Sequence, residues 1–324
     1  MVVGALAAAF PDIDFVTGYI SPVAYILNHR GITHSLLLLP LWAALIAWIC
    51  ALIWRGGPGW RAYFGLAAMG LGAHILGDLI TSYGTMILAP LSNARYAWDL
   101  TFIIDLWFSG ILVAGLIACW AWRRSRVPAA AALAVLVAYV GWQATLLREA
   151  VRFGQDWAQA ARIAPVRVTA QPRPVSPLNW MVFVESEDEV RYALVKLVDG
   201  AAPPSLVPEA GFLARLAAPY IPLKHAIWVQ VPRYGAEPAL ARDAWRQPEF
   251  AFFRWFSRYP VVYRIEHHNP ETCVWFEDLR FFTPGRPAFP FRYGMCREGA
   301  QAWRPWRLMS ENAKVPVTPP ASRE

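Results

Sequence analysis

Long apolar runs fill the first half of the chain, at 34–54, 62–80, 102–122 and 127–147. Each is close to the roughly 20 residues that a helix needs to cross a bilayer. After Leu147 the pattern changes to short alternating runs broken by prolines and arginines. "NWMVFVESEDEVRYALVKL" predicts a hairpin with a charged turn at 185–189. "RIEHHNPETCVWFEDLRFF" predicts a second one turning at Asn269-Pro270, and "PEFAFFRWFSRYP" before it predicts an aromatic helix. The fold class expected is an integral membrane α-helical bundle of about four full spans plus a short N-terminal helical segment, followed by a small α+β domain with an antiparallel sheet. The divisions expected are a membrane-embedded part at 1–150, a linker or amphipathic segment at 151–165, the α+β domain at 166–312 and a disordered tail at 313–324. The opening "MVVGALAAAF" is too short to span before Pro11 and lacks the basic flank of a signal peptide.

Composition agrees with a membrane protein: 56 % of residues are apolar and only 16 % charged, with a mean hydropathy of +0.31. The formal charge of +7 does not predict a nucleic-acid partner, because the arginines are scattered or sit at span ends and form no basic stripe. Charge in the short loops sets the expected orientation. Arg55 and Arg61 share one side with Arg123, Arg124 and Arg126, and no acid accompanies them. The other side carries Asp12, Asp14, Asp78, Asp99 and Asp105 against Arg30 and Arg95. The positive-inside rule places the arginine loops in the cytoplasm and the C-terminal domain outside it.

Polar chemistry gathers at that outer end. Asp12 and Asp14 ("FPDID"), His29 and His34 ("NHRGITHS"), and His74 and Asp78 ("HILGD") come from separate stretches of chain. His74 and Asp78 lie one helical turn apart on one face, roughly 9 Å below the helix end. An imidazole and a carboxylate at that depth need partners. A divalent metal suits this donor set: zinc by preference, with manganese or iron admitted by the extra carboxylates. His34, His74 and Asp78 are the chief candidate ligands, with His29, Asp12 and Asp14 beside them. Asp78 and Asp14 are candidate catalytic carboxylates. Arg30 is a candidate for an anionic substrate group, as is Arg95. Each has a plainer reading. "PDID" can be a helix stop, His29 a solvated loop residue, and Asp99 and Asp105 interfacial acids. A serine nucleophile at Ser35 or Ser82 ranks below metal-activated water.

The segments "GALAAAFPDID", "NHRGITHSLL", "HILGDLITSYGT" and "WDLTFIIDL" resemble the YdjM-like family of LexA-regulated, inner-membrane-associated metal-dependent hydrolases. The resemblance covers about residues 1–125. "VSPLNWMVFVE" and "RYPVVYRIE" with "VWFEDLRF" resemble the longer members, which carry an extracytoplasmic C-terminal domain. It implies a multi-pass protein of the inner (cell) membrane with a polar site at Asp12, Asp14, His29, Arg30, His34, His74 and Asp78. Members begin with a further helix bearing a Thr-His pair; this sequence starts at "MVVGALAAAF".

The C-terminal half shows no catalytic constellation. Its Cys273 and Cys296 are equidistant from Pro284-Gly285, so a hairpin turning there would oppose them and permit a disulfide. Cys50 and Cys119 read as packing residues in spans. The function expected is hydrolysis of a lipid-like or phosphoester substrate at the outer interface, with membrane lipid as partner. The alternative is a non-enzymatic metal-binding membrane protein, transport-related or an envelope scaffold.

Overall fold

Small side chains decide how the first helices meet. Helix Val2–Ala9 packs along helix Trp60–Leu79, with Ala7, Ala67 and Leu71 fully buried between them. A Cβ at Gly70 would lie 2.5 Å from the Gly4 carbonyl oxygen, so only glycine allows this approach. The contact carries the chain that follows Ala9 towards the end of the second helix where His74 and Asp78 lie.

The computed structural model describes residues 2–200, 211–284, 290–311 and 313–318. Among them, three helical segments are long and apolar enough to cross a membrane: Val2–Ile20, Trp60–Leu79 and Val127–Ala160. The first is longer than the ten residues before Pro11 suggested. Proline is tolerated in a first helical turn, and the path continues through a 3-10 turn, Pro11–Val16, into Thr17–Ile20. The apolar run at 34–54 yields a shorter helix than expected, of 15 residues. Pro22–His34 and Leu39–Ile53 form a pair bent by 76° and make a fourth span only if the pair is counted as one. The break has a local cause. Ser35 is extended, and its hydroxyl accepts from the N–H groups of Leu37 and Leu38 at 3.1 and 3.3 Å, so the helix restarts only at Leu39. The run at 102–122 yields a 16-residue helix, Leu106–Ala121. Asp105 starts it by accepting from the N–H groups of Trp107 and Phe108.

Helix Val127–Ala160 has 34 residues, about 51 Å at 1.5 Å per residue. That exceeds a hydrocarbon core of roughly 30 Å. Its final turns take over most of the expected linker and lie on a sheet, with Ala150 and Ala158 buried and the Trp157 ring stacked on Trp228 at 3.9 Å.

The C-terminal part contains two five-stranded sheets where one was expected. The first comprises β1 (Arg167–Pro172), β2 (Asn179–Glu185), β3 (Glu189–Lys196), β4 (Ile221–Pro222) and β5 (Trp228–Pro232). It is antiparallel except where the two-residue β4 runs parallel to β3. The second runs in reverse chain order, from β10 (Ala313–Pro316) through β9 (Arg304–Ser310), β8 (Tyr293–Glu298) and β7 (Glu271–Asp278) to β6 (Pro260–His268). Both expected hairpins form, with Glu185 opposite Val190 and His268 opposite Glu271. Helix Ala251–Phe256 occupies the aromatic stretch before β6. Cys273 and Cys296 are opposed on β7 and β8 and joined as a disulfide; Gly285 of the expected turn lies outside the described residues. Residues 313–316, expected in the disordered tail, instead extend the sheet. The last strand pairs with β9, Val317 is buried, and the Lys314 ammonium reaches Glu271 at 2.5 Å. Residues 319–324 of that tail lie outside the described residues.

The sheets are docked on the polar end of the helices. Val23, Ile26 and Tyr83 share one apolar cluster with Phe250, Phe253 and Phe256. Arg258 pairs with Asp99 at 2.7 Å, and Arg280 donates to the Tyr83 carbonyl at 2.7 Å.

Candidate metal centre

Four side chains from three elements converge. Asp12 comes from the turn Pro11–Val16, His34 from the 3-10 turn Ile32–His34, and His74 and Asp78 from helix Trp60–Leu79. Each offers one ligand atom, and these atoms all lie within 4.8 Å of one another. His34 Nε2 is 3.0 Å from Asp78 Oδ2 and 3.2 Å from His74 Nε2. Asp12 Oδ1 is 3.5 Å from His74 Nε2 and 3.7 Å from His34 Nε2. His34 is fully buried, whereas the Asp12 side chain is 58 % exposed and forms the open edge.

The donor set fits a divalent ion. Two imidazole nitrogens face each other at hydrogen-bond distance although only one could donate. Asp78 Oδ2 is buried without a well-oriented hydrogen bond, despite lying 3.0 Å from the His34 ring nitrogen. Two nitrogens and two carboxylate oxygens are a suitable set for zinc, and also for manganese or iron.

Asp14 and His29 stand outside this group of four. Asp14 Oδ1 takes His29 Nδ1 at 2.7 Å; Oδ2 takes the Arg30 N–H at 2.8 Å and the Thr33 hydroxyl at 3.0 Å, with His34 Nδ1 3.2 Å away. A proton on His34 Nδ1 facing that carboxylate leaves Nε2 with its lone pair towards the group. Asp14 therefore orients one imidazole and anchors the other. The His29 ring stacks on Tyr25 at 4.6 Å.

Arg30 is buried and braces Asp78: Nη2 meets Asp78 Oδ1 at 2.9 Å, and Nη1 donates to the Thr81 hydroxyl at 2.9 Å. Its backbone is left-handed, with φ 57°. Hydrogen bonds hold it from both sides, N–H to Asp14 and carbonyl from the Met86 N–H at 2.8 Å. Gly31 then turns the chain. A Cβ there would fall 2.6 Å from the Asn28 carbonyl oxygen. The sequence "HRG" is thus a local device that aims an imidazole, a guanidinium and a backbone N–H at two carboxylates.

Other candidate residues have different work. Asp99 is paired with Arg258 of the sheets, and Asp105 caps a helix and accepts from the Tyr139 hydroxyl at 2.7 Å. Arg95 donates to the carbonyls of Ile26, His29 and Gly84 and faces the rings of Tyr83 and Trp255; burial pushes its guanidinium down to about 10. Ser35 is buried and donates to the Ala89 carbonyl at 2.5 Å. Thr33 was missed, although its place beside His34 in "RGITHS" could have marked it.

Residues 1–150 match the YdjM inner membrane protein family. That stretch holds all seven site residues named from the YdjM resemblance. The chain is also similar to "Uncharacterized protein YfhP" of Bacillus subtilis (strain 168), at 26 % identity over 132 residues. The similarity spans 41 % of this chain and 39 % of that relative. No solved structure matches.

Proposed function

We propose that the chain is a multi-pass, metal-dependent hydrolase of the inner membrane, with about four spans and its site at the outer face. The observation that carries this reading is the convergence of Asp12, His34, His74 and Asp78, with ligand atoms within 4.8 Å of one another, at the apolar helices' polar end. When bound, a divalent ion supplies Lewis acidity and lowers the pKa of water towards neutrality. The protein's own groups do the rest. Asp14 sets the His34 tautomer, and Arg30 fixes the Asp78 carboxylate through Oδ1. Asp12, the exposed member, forms the edge through which water reaches the site. The docked sheets shield the site from one side. The arginine loops around Arg55 and Arg123 support a cytoplasmic placement of the opposite end, which leaves the sheets extracytoplasmic. A lipid-like or phosphoester substrate suits a site at headgroup level.

Elemental analysis of detergent-purified protein, paired with turnover of phosphoesters and lipid esters, tests the reading. Zinc, manganese or iron near one equivalent, lost together with turnover in His74→Ala, is the expected result. A second reading, a purely structural or transport-related ion, draws on the burial of His34 and the small exposure of His74 and Asp78. Stoichiometric metal with no turnover of any ester would favour it.

A further inference from the structure

A cavity of about 300 Å³ lies between the metal centre and the docked sheets. The helical part contributes His29, Arg30 and Tyr83 to its wall; the sheets contribute Gln171, Arg173 and Arg280. All of these except His29 are at least nine-tenths buried. Their polar atoms are unusually unsatisfied. Both Gln171 amide atoms, the Tyr83 hydroxyl and the Nε atoms of Arg30, Arg173 and Arg280 have no hydrogen-bond partner. Buried polar groups are ordinarily paired, and here six unpaired atoms belong to residues that line one cavity.

Its charge is one-sided. No carboxylate lines it among the described residues. Arg30 is balanced by Asp78 and Arg280 by Asp278. Arg173 has no ion-pair partner among the described residues, and the Asp278 charge acts on it without direct contact. Its guanidinium donates to Met181 Sδ and to the carbonyls of Leu279 and Arg280. A buried cation held by neutral acceptors is costly unless an anion joins it. Burial also pushes the Arg173 guanidinium below its usual range. The remaining wall is largely apolar, with Phe102, Phe281 and Phe291 beside Tyr25, Ser82 and Thr283, and it ends at Ile103, which is 59 % exposed.

We propose that this cavity binds the phosphate group of a phosphate ester, with Arg173 and Gln171 as its principal contacts and the ester's apolar portion against Phe281 and Phe291. Guanidinium groups match phosphate oxygens in geometry as well as charge, and the Gln171 amide can donate to the same group. Arg30 joins the two sites: its Nη2 meets Asp78 and the residue also lines the cavity. The assignment of this ester as substrate rests on the hydrolase reading; the binding site itself does not. It gives the C-terminal domain a role in choosing the substrate.

Isothermal titration of the full chain in maltoside micelles, with octyl phosphate, inorganic phosphate and octyl glucoside as probes, tests the site. Octyl phosphate should bind and octyl glucoside should not. Arg173→Met should weaken octyl phosphate about tenfold or more, with part of the affinity restored in Arg173→Lys. Gln171→Leu should weaken it several-fold and decides the matter alone if the Arg173 variants fail to fold, as judged by thermal melting. Tighter binding of octyl phosphate than of inorganic phosphate identifies a lipid ester as the source; equal binding overturns the contact with Phe281 and Phe291 and leaves a site for a soluble phosphate. His74→Ala, expected to lose metal and turnover, should still bind octyl phosphate; unaltered protein that binds octyl phosphate but holds no metal and turns over no ester sinks only the hydrolase reading. Binding that survives Gln171→Leu and every folded Arg173 variant overturns the cavity assignment, as does equal binding of octyl glucoside.

Discussion

Asp78 and Asp278 are both well-buried aspartates beside an arginine, and they do opposite things. Asp278 is saturated. Oδ1 accepts from the N–H groups of Tyr259 and Arg280 at 3.1 and 2.9 Å; Oδ2 accepts from the Arg258 N–H at 2.9 Å and pairs with the Arg280 guanidinium at 3.0 Å. Asp78 has only Oδ1 engaged in that way, by Arg30, while Oδ2 faces two imidazoles and another carboxylate. A carboxylate whose oxygens are all spent holds a fold together. One left with an open lone pair among other donors is placed for a ligand.

The comparison breaks first at the helical site. His74→Ala should abolish stoichiometric metal while helix content, read by circular dichroism, stays unchanged; full retention of metal would remove the proposed centre. Asp278→Ala should do the reverse, keeping the four donors but destabilising the sheets by roughly 3–5 kcal/mol, because a buried cation and several N–H groups lose their partner. Thermal and denaturant melts of the full chain measure it, and a loss below about 1 kcal/mol would mean that Asp278 is no more than a surface pair in effect. Asp14→Ala should weaken metal binding by roughly 10–100-fold, the usual cost of losing a group that orients a ligand. Competition with a chelator reads this, and an unchanged affinity would free His34 from any dependence on Asp14. The smallest effect is at Asp105. Removing this cap in Asp105→Ala should cost about 1 kcal/mol without altering metal content; altered metal content would return Asp105 to the site.

Two gaps in the sequence reading share a cause. The run at 34–54 reads as a continuous apolar segment because hydropathy counts side chains and ignores the backbone. The Ser35 hydroxyl capping Leu37 and Leu38 delays the helix to Leu39, and the left-handed Arg30 before Gly31 turns the chain ahead of it. At the other end of the chain, "AKVPV" reads as a tail because its proline and short length disguise a strand. Its place is fixed by β9, which supplies the pairing edge.

The sequence by itself determined the two-part organisation, the apolar helices, the main hairpins and the opposition of Cys273 to Cys296. Those follow from local periodicity, and periodicity is written residue by residue. It also singled out Asp12, Asp14, His29, Arg30, His34, His74 and Asp78, since charged groups beside apolar runs stand out in any reading. It could not rank them. Only the tertiary structure set Asp12, His34, His74 and Asp78 around one point and put Asp14 and His29 behind them, because that choice depends on the Gly70 contact, the turn at Gly31 and the side of each helix that faces inward. Nor could it find Gln171 and Arg173. Nothing local distinguishes them from other residues of the sheets, and their meaning arises only when the sheets close over the helices and bury the Gln171 amide unpaired beside Arg173.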